Sequence, residues 1–169
     1  MNKAAILMGS KSDLSSVKPC YDLLLKFGIA ADIRVMSAHR SPELVTEFVN
    51  HAEKEGYQVL IAAAGKAAHL AGVVAGHTIL PVIGIPVKSS TMDGLDSLLS
   101  TVQMPAGIPV ATVAINGAEN AAILAVQIMA LSCPELKAKL KEYKAEMLNK
   151  IIQDDASLQE ELAAGVSGK

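Results

Sequence analysis

Short apolar runs alternate with longer mixed segments through the first two thirds of the chain. Three of these runs, 4–8, 33–36 and 59–64, end at even intervals that match the length of one strand plus one helix. Two further runs, 80–85 and 110–115, bring the number of predicted strands to about five. Repeated strand and helix units form parallel sheets covered by helices on both faces. The pattern therefore predicts a three-layer, doubly wound α/β fold of the flavodoxin or Rossmann type.

The segments between the strands predict helices with recognisable ends. One helix is expected over 13–27, ending before Gly28, and a second begins after Ser41 with Pro42 in its first turn. Others are expected over 93–102 and 118–131. The segment 67–76 is apolar on all sides, so the sheet, a neighbouring helix or another subunit must bury it.

The character of the chain changes after Pro134. Leu136, Leu140, Tyr143 and Met147 recur at helical spacing among lysines and glutamates, which predicts an amphipathic helix outside the sheet. We expect one catalytic α/β domain over residues 1–153, including this helix, and a polar tail over 154–169.

Composition removes several classes of function. A net charge of -2 with 3% aromatic residues does not favour nucleic-acid binding. The sequence contains neither a signal-peptide pattern nor an apolar run long enough to span a membrane, so we expect a cytoplasmic protein. Cys20 and Cys133 form no metal-binding or redox motif, and we expect free thiols.

The first strand is followed by Gly9, Ser10, Ser12 and Asp13. A strand that leads through glycine and serines into a helix start is typical of a phosphate site, because free amides and the helix dipole attract anions. If a nucleotide binds here, the Asp13 carboxylate suits a ribose hydroxyl. Alternatively, Ser12 or Asp13 only caps the helix.

Two more polar clusters follow the second and third strands. His39 can transfer protons near neutral pH, and Arg40 beside it suits a phosphate. Lys66 and His69 lie among glycine and alanine, where a flat ligand can approach the backbone. Taken singly, each histidine could be structural and Arg40 could pair on the surface. Because parallel strands end at one edge of a sheet, all three clusters are expected to face one crevice.

Four motifs, at 8–13, 37–42, 67–70 and 96–105, resemble in order those of the phosphoribosylaminoimidazole carboxylase family of purine biosynthesis. The resemblance extends over about residues 3–150. It implies a homo-octamer that carboxylates aminoimidazole ribonucleotide without metal, biotin or ATP. It also implies that His39 is the acid and base, and that the substrate is bound by Ser10, Ser12 and Arg40 at the phosphate, Asp13 at the ribose, and Ser37, Gly65, Lys66 and His69 around the ring and carboxylate.

The family has a branch that uses free carbon dioxide and a mutase branch that moves a carboxyl group from the exocyclic nitrogen to the ring carbon. Lys66 stands where the mutase loop usually has glycine, and a cation there could stabilise a developing carboxylate. This favours direct carboxylation, a carboxy-lyase activity, with the mutase as the alternative. A non-catalytic flavin- or nucleotide-binding module is a more distant alternative.

Overall fold

A computed structural model describes residues 2–166. Its centre is a five-stranded parallel sheet with the order β2-β1-β3-β4-β5. The strands are β1 Lys3–Met8, β2 Ala30–Val35, β3 Val59–Gly65, β4 Val82–Val87 and β5 Ala111–Thr112. The helices are α1 Leu14–Lys26, α2 Pro42–Ala52, α3 Leu70–Gly76, α4 Leu95–Val102, α5 Ala118–Met129 and α6 Pro134–Val166, and a short 3-10 turn, Lys11–Asp13, precedes α1. The predicted α/β fold is confirmed.

The strand order places a topological switch at β1. The chain passes from β1 to β2 on one side and then returns to place β3 on the other side. Ligands of doubly wound sheets bind beyond the carboxyl ends of the strands at such a switch. This edge is where the three polar clusters leave the sheet.

Helices cover both faces of the sheet. α2 and α3 pack on one face, and α1 and α5, which contact each other, cover the opposite face. The strands β1 and β3 are buried through most of their length, which explains why they read as continuous apolar runs rather than alternating ones.

The apolar helix α3 is buried within its own chain. Leu70, Ala71 and Val74 belong to the same buried cluster as Leu60 and Ala62 of β3. Of the three possibilities left open by the sequence, burial against the sheet accounts for these side chains.

The strand β4 extends two residues beyond its predicted end, through Pro86. The Pro86 carbonyl accepts a hydrogen bond from the N–H of Asn116, on the side of the sheet toward β5. The missing N–H of Pro86 would face the same side, where β5 pairs only with Ile83 and Gly84. Proline therefore costs no hydrogen bond in the β3–β4 ladder, and the strand continues to Val87.

Within the described residues, 2–129 form one compact unit and 130–166 form a second. α6 continues to Val166, so the segment expected to be a polar tail from residue 154 is helical as far as it is described. The helix begins where Pro134 predicted a change of character. The proposed single domain over residues 1–153 stays a prediction.

None of the helices within residues 2–166 has the length and apolar character needed to cross a membrane.

Candidate active site

A cavity of about 670 Å³ lies at the carboxyl ends of β1, β2, β3 and β4. We call it the site cavity. All nine predicted site residues line it: Ser10, Ser12, Asp13, Ser37, His39, Arg40, Gly65, Lys66 and His69. The sequence-based inference that the three clusters face one crevice is therefore correct in its geometry.

Ser10 and Ser12 form one hydroxyl pair at the end of β1. The Ser10 hydroxyl oxygen accepts from the Ser12 N–H at 3.3 Å and from the Ser12 hydroxyl at 2.8 Å. The first of these bonds caps the 3-10 turn. Ser10 therefore caps this turn, whereas the alternative interpretation concerned the cap of the helix and assigned it to Ser12 or Asp13.

Asp13 is the N-cap residue of α1, but its side chain makes no capping hydrogen bond. Desolvation raises the pKa of its carboxyl group above the ordinary value, against the opposing effect of hydrogen bonds from Ser10 and Ser12 and the positive charge of Arg40. A half-buried carboxylate in a site cavity is a suitable acceptor for sugar hydroxyls.

Arg40 joins the ends of β1 and β2. Its guanidinium Nη2 donates to the Gly9 carbonyl at 2.7 Å, and its backbone N–H donates to the Ser37 hydroxyl at 3.2 Å. Ser37 is itself fixed, because its N–H donates to the Ser41 hydroxyl at 2.9 Å. Arg40 is therefore held beside the hydroxyl pair, where an anion would meet one fixed cation and two hydroxyls.

His39 and His69 both line the site cavity, and their rings contact each other. Nε2 of His39 lies 2.8 Å from Nδ1 of His69, and the ring planes are nearly perpendicular, at 87°. At this distance one nitrogen donates a proton and the other accepts it. Two imidazoles from different strand ends thus form one hydrogen-bonded pair, which the sequence did not predict.

The loop after β3 approaches the cavity closely. A Cβ atom on Gly65 would lie 3.3 Å from the Val87 carbonyl oxygen, tighter than ordinary packing. Lys66 follows with a left-handed backbone, φ 57°, which is uncommon for a residue with a side chain. Its exposed side chain lines the cavity.

Lys88 and Ser89 line the same cavity but were not predicted from the sequence. Lys88 forms an ion pair with Asp93 at 3.1 Å, and the Ser89 hydroxyl donates to the Asp96 carboxylate at 3.0 Å. Lys88 and Ser89 were not predicted because β4 was expected to end at residue 85. Residues 88 and 89 therefore did not follow a predicted strand end and were not recognised as a fourth polar cluster at this edge of the sheet.

Cys20 does not line the site cavity. Its thiol is fully buried in α1, and burial raises its pKa to about 12. It remains protonated at neutral pH and is an inert core residue.

Comparisons with known proteins identify the family of the chain. A family model described as AIR carboxylase matches residues 3–150. The chain belongs to the AIR carboxylase family. This is a family of purine-biosynthesis enzymes, as the four motifs implied, and the match includes every residue of the site cavity.

Individual members of the AIR carboxylase family are similar over nearly the full chain. An N5-carboxyaminoimidazole ribonucleotide mutase of Thermotoga maritima is 51% identical over 95% of this chain and 94% of its own length. A protein of the same name from Mycobacterium tuberculosis is 46% identical over 93% of this chain and 90% of its own. The crystal structure of Treponema denticola PurE has a TM-score of 0.86 at 33% identity, covering 94% of this chain and 99% of that one.

The prediction of direct carboxylation by free carbon dioxide is wrong. It rested on Lys66, whereas relatives with about half of their residues identical are named as mutases. One exposed lysine in a loop does not by itself decide the source of the carboxyl group.

Proposed function

We propose that this protein converts N5-carboxyaminoimidazole ribonucleotide into 4-carboxy-5-aminoimidazole ribonucleotide. The observation that carries the proposal is the 2.8 Å contact between His39 and His69 in a cavity that also holds Ser10, Ser12 and Arg40. The names of these two similar relatives support the same reaction.

The substrate's phosphate would bind at the hydroxyl pair of Ser10 and Ser12, with Arg40 as the cation. Arg40 is restrained by its bond to the Gly9 carbonyl, so little side-chain freedom is lost when the anion binds. Asp13 would accept from a ribose hydroxyl. The ring and its carboxyl group would then lie toward the histidine pair and the loop with Gly65 and Lys66.

The reaction itself needs two balanced proton transfers. The carbamate nitrogen takes a proton as its bond to the carboxyl carbon breaks, which releases carbon dioxide within the site. The ring carbon, enamine-like, attacks that carbon dioxide, and a base then removes the hydrogen from the ring carbon to restore aromaticity. One proton enters and one leaves, so the reaction is an isomerisation with no net proton change.

His39 would serve both transfers, first as the acid and then as the base. A positioned acid or base typically contributes ~10²–10⁴ in rate. His69 would keep the proton available between the two steps, because its Nδ1 contacts Nε2 of His39.

Carbon dioxide must stay in the cavity between the two steps, and water must stay out. In the single chain both histidines are exposed. We therefore also propose that the active protein is the homo-octamer implied by the resemblance, with neighbouring subunits closing the cavity. The same proposal assigns the enzyme to the cytoplasm, with the rest of purine synthesis.

The direct test follows the carboxyl carbon. Freshly prepared N5-carboxyaminoimidazole ribonucleotide, labelled with ¹³C in the carbamate, is incubated with the protein in unlabelled bicarbonate without ATP. We expect the label on the ring carboxyl group of the product. Unlabelled product would show that the carboxyl group comes from solution, and absence of product above a no-enzyme control would overturn the proposed activity.

A further inference from the structure

The reaction proposed above assigns no role to Lys88, the lysine at the end of β4. Lys88 follows the last residue of β4 and lines the site cavity. Its backbone N–H donates to the Asn116 side-chain oxygen at 2.9 Å, and the Asn116 N–H donates to the Pro86 carbonyl at 2.8 Å. These two bonds fix the start of the Lys88 side chain at the edge of the cavity.

The charged end of Lys88 is paired with Asp93, at 3.1 Å from Nζ to the carboxylate. Both side chains are exposed, at 56% and 86%. Exposed ion pairs of this kind contribute little to stability, because water screens both charges. Lys88 can therefore exchange Asp93 for another carboxylate at small cost.

Lys88 lies at the other end of the cavity from the groups proposed to bind the phosphate. Arg40 follows β2 and Ser10 follows β1, whereas Lys88 follows β4, two strands away from β1. Neighbouring strands lie about 4.8 Å apart, so the two ends of the cavity are separated by roughly 10 Å. The proposed substrate likewise carries one anionic group at each end, a phosphate and a carboxylate.

We propose that Lys88 binds the carboxyl group of the carboxylated nucleotide, in place of its ion pair with Asp93, and so selects carboxylated over uncarboxylated nucleotide. This inference rests on the proposed function. It assigns the carboxylate end of the cavity to the fourth strand, which lies beyond the three clusters singled out in the sequence.

The test compares two ligands by isothermal titration calorimetry: 4-carboxy-5-aminoimidazole ribonucleotide and 5-aminoimidazole ribonucleotide. We expect Lys88→Met to weaken binding of the carboxylated ligand by roughly 10- to 100-fold, the loss typical of a hydrogen bond to a charged group. Affinity for the uncarboxylated ligand should change less than about twofold. Lys88→Arg should restore most of the difference, since the charge returns.

The matched control is Lys18→Met. Lys18 is also an exposed lysine in an ion pair, with Asp22 at 2.6 Å, but it lies on α1 outside the cavity residues. It should leave both affinities unchanged.

Three results would overturn the assignment of Lys88. The first is that Lys88→Met loses affinity equally for both ligands, and the second is that it loses affinity for neither. The third is that Lys66→Met loses affinity selectively for the carboxylated ligand while Lys88→Met does not. If the unaltered protein binds the carboxylated ligand and converts the labelled carbamate, these results reject the inference alone. If the unaltered protein binds neither nucleotide, the proposed function fails and the inference fails with it.

Discussion

The proposed chemistry depends on one hydrogen bond between two histidines that are thirty positions apart in the chain. His39 follows β2 and His69 precedes α3, so neither ring is positioned by its own segment alone. The sheet brings them together because β1 lies between β2 and β3 and all three strands end at the same edge. A small shift of either strand end would separate the rings.

His39→Asn should lower turnover of the carbamate substrate by about 10²–10⁴-fold, because asparagine cannot exchange a proton at neutral pH. His39 is exposed, so folding should be unaffected. The measurement is a steady-state assay together with circular dichroism. His51→Asn is the control, since His51 lies on α2 and bonds only to its own helix at the Glu47 carbonyl. Near-normal turnover in the His39 variant would refute the acid and base assignment.

Asp13, the proposed ribose-binding residue, has an ionised form that lowers the stability of the fold. Its pKa in the folded protein is raised above the ordinary value of 3.8, mainly by desolvation, so the folded state binds a proton more tightly than the unfolded state. The ionised carboxylate therefore destabilises the fold at neutral pH. This cost falls as the pH decreases through the raised pKa and is absent below 3.8.

Asp13→Asn should accordingly raise the free energy of unfolding at neutral pH, and asparagine keeps the N-cap preference of α1. The difference from the unaltered protein should shrink as the pH decreases from neutral to about 4. Urea denaturation over this pH series measures it. Affinity for aminoimidazole ribonucleotide should decrease in the same variant. A variant that is less stable at neutral pH would contradict this account of the carboxylate.

At the level of the elements, the packing of α4 on the sheet depends on Gly84 in β4. A Cβ atom at this position would overlap the Thr101 Cγ2 atom of α4 and lie 2.9 Å from Val110 Cγ1. Thr101 is 2% exposed and its hydroxyl donates to the Ser97 carbonyl, so it cannot move aside. The missing side chain allows α4 to approach β4, whose end carries Lys88.

Gly84→Ala should destabilise the fold by about 1–3 kcal/mol, the usual cost of overpacking a core. Chemical denaturation gives the value. Adding Thr101→Ser, which removes the overlapping methyl group and keeps the hydroxyl, should recover part of the loss. Gly76→Ala is the control, because a Cβ atom at position 76 would meet no atom within 4 Å and the change should stay within about 0.5 kcal/mol. Equal stability of both alanine variants would show that α4 adjusts freely.

At the scale of the whole molecule, α6 carries apolar side chains that its own unit leaves uncovered. Met147 is 55% exposed, Leu148 60%, Ile151 65% and Ile152 56%. A helix of 33 residues with such a surface is typically stabilised by packing against another surface. Further copies of the chain would supply it in the proposed octamer.

Light scattering after size-exclusion chromatography should give a mass close to eight times the 17.6 kDa of one chain. Ile151→Glu places a charge on the apolar surface of α6 and should shift the protein to smaller species. Lys150→Glu, one position earlier and also exposed, should keep the assembly. A mass of one chain for the unaltered protein at assay concentration would reject the octamer.

The sequence by itself determined the fold class, the edge of the sheet that holds the site, and nine of the residues that line it. It could do so because continuous apolar runs report burial on both faces of a strand, and because parallel strands end at one edge. The family followed from four motifs in order. The source of the carboxyl group did not follow from Lys66, because one exposed side chain in a loop does not by itself determine which carboxyl donor a site accepts.

Only the tertiary structure decided which of these residues touch. The contact between His39 and His69, and the bond from Arg40 to Gly9, join segments about thirty positions apart, and no local pattern records such distances. The end of β4 could not be predicted from the sequence either. A strand can continue through Pro86 only if the side of the proline that lacks an N–H faces away from a hydrogen-bonding position on the neighbouring strand. Sequence periodicity reports burial and local geometry, whereas contacts between strand ends depend on strand order and register.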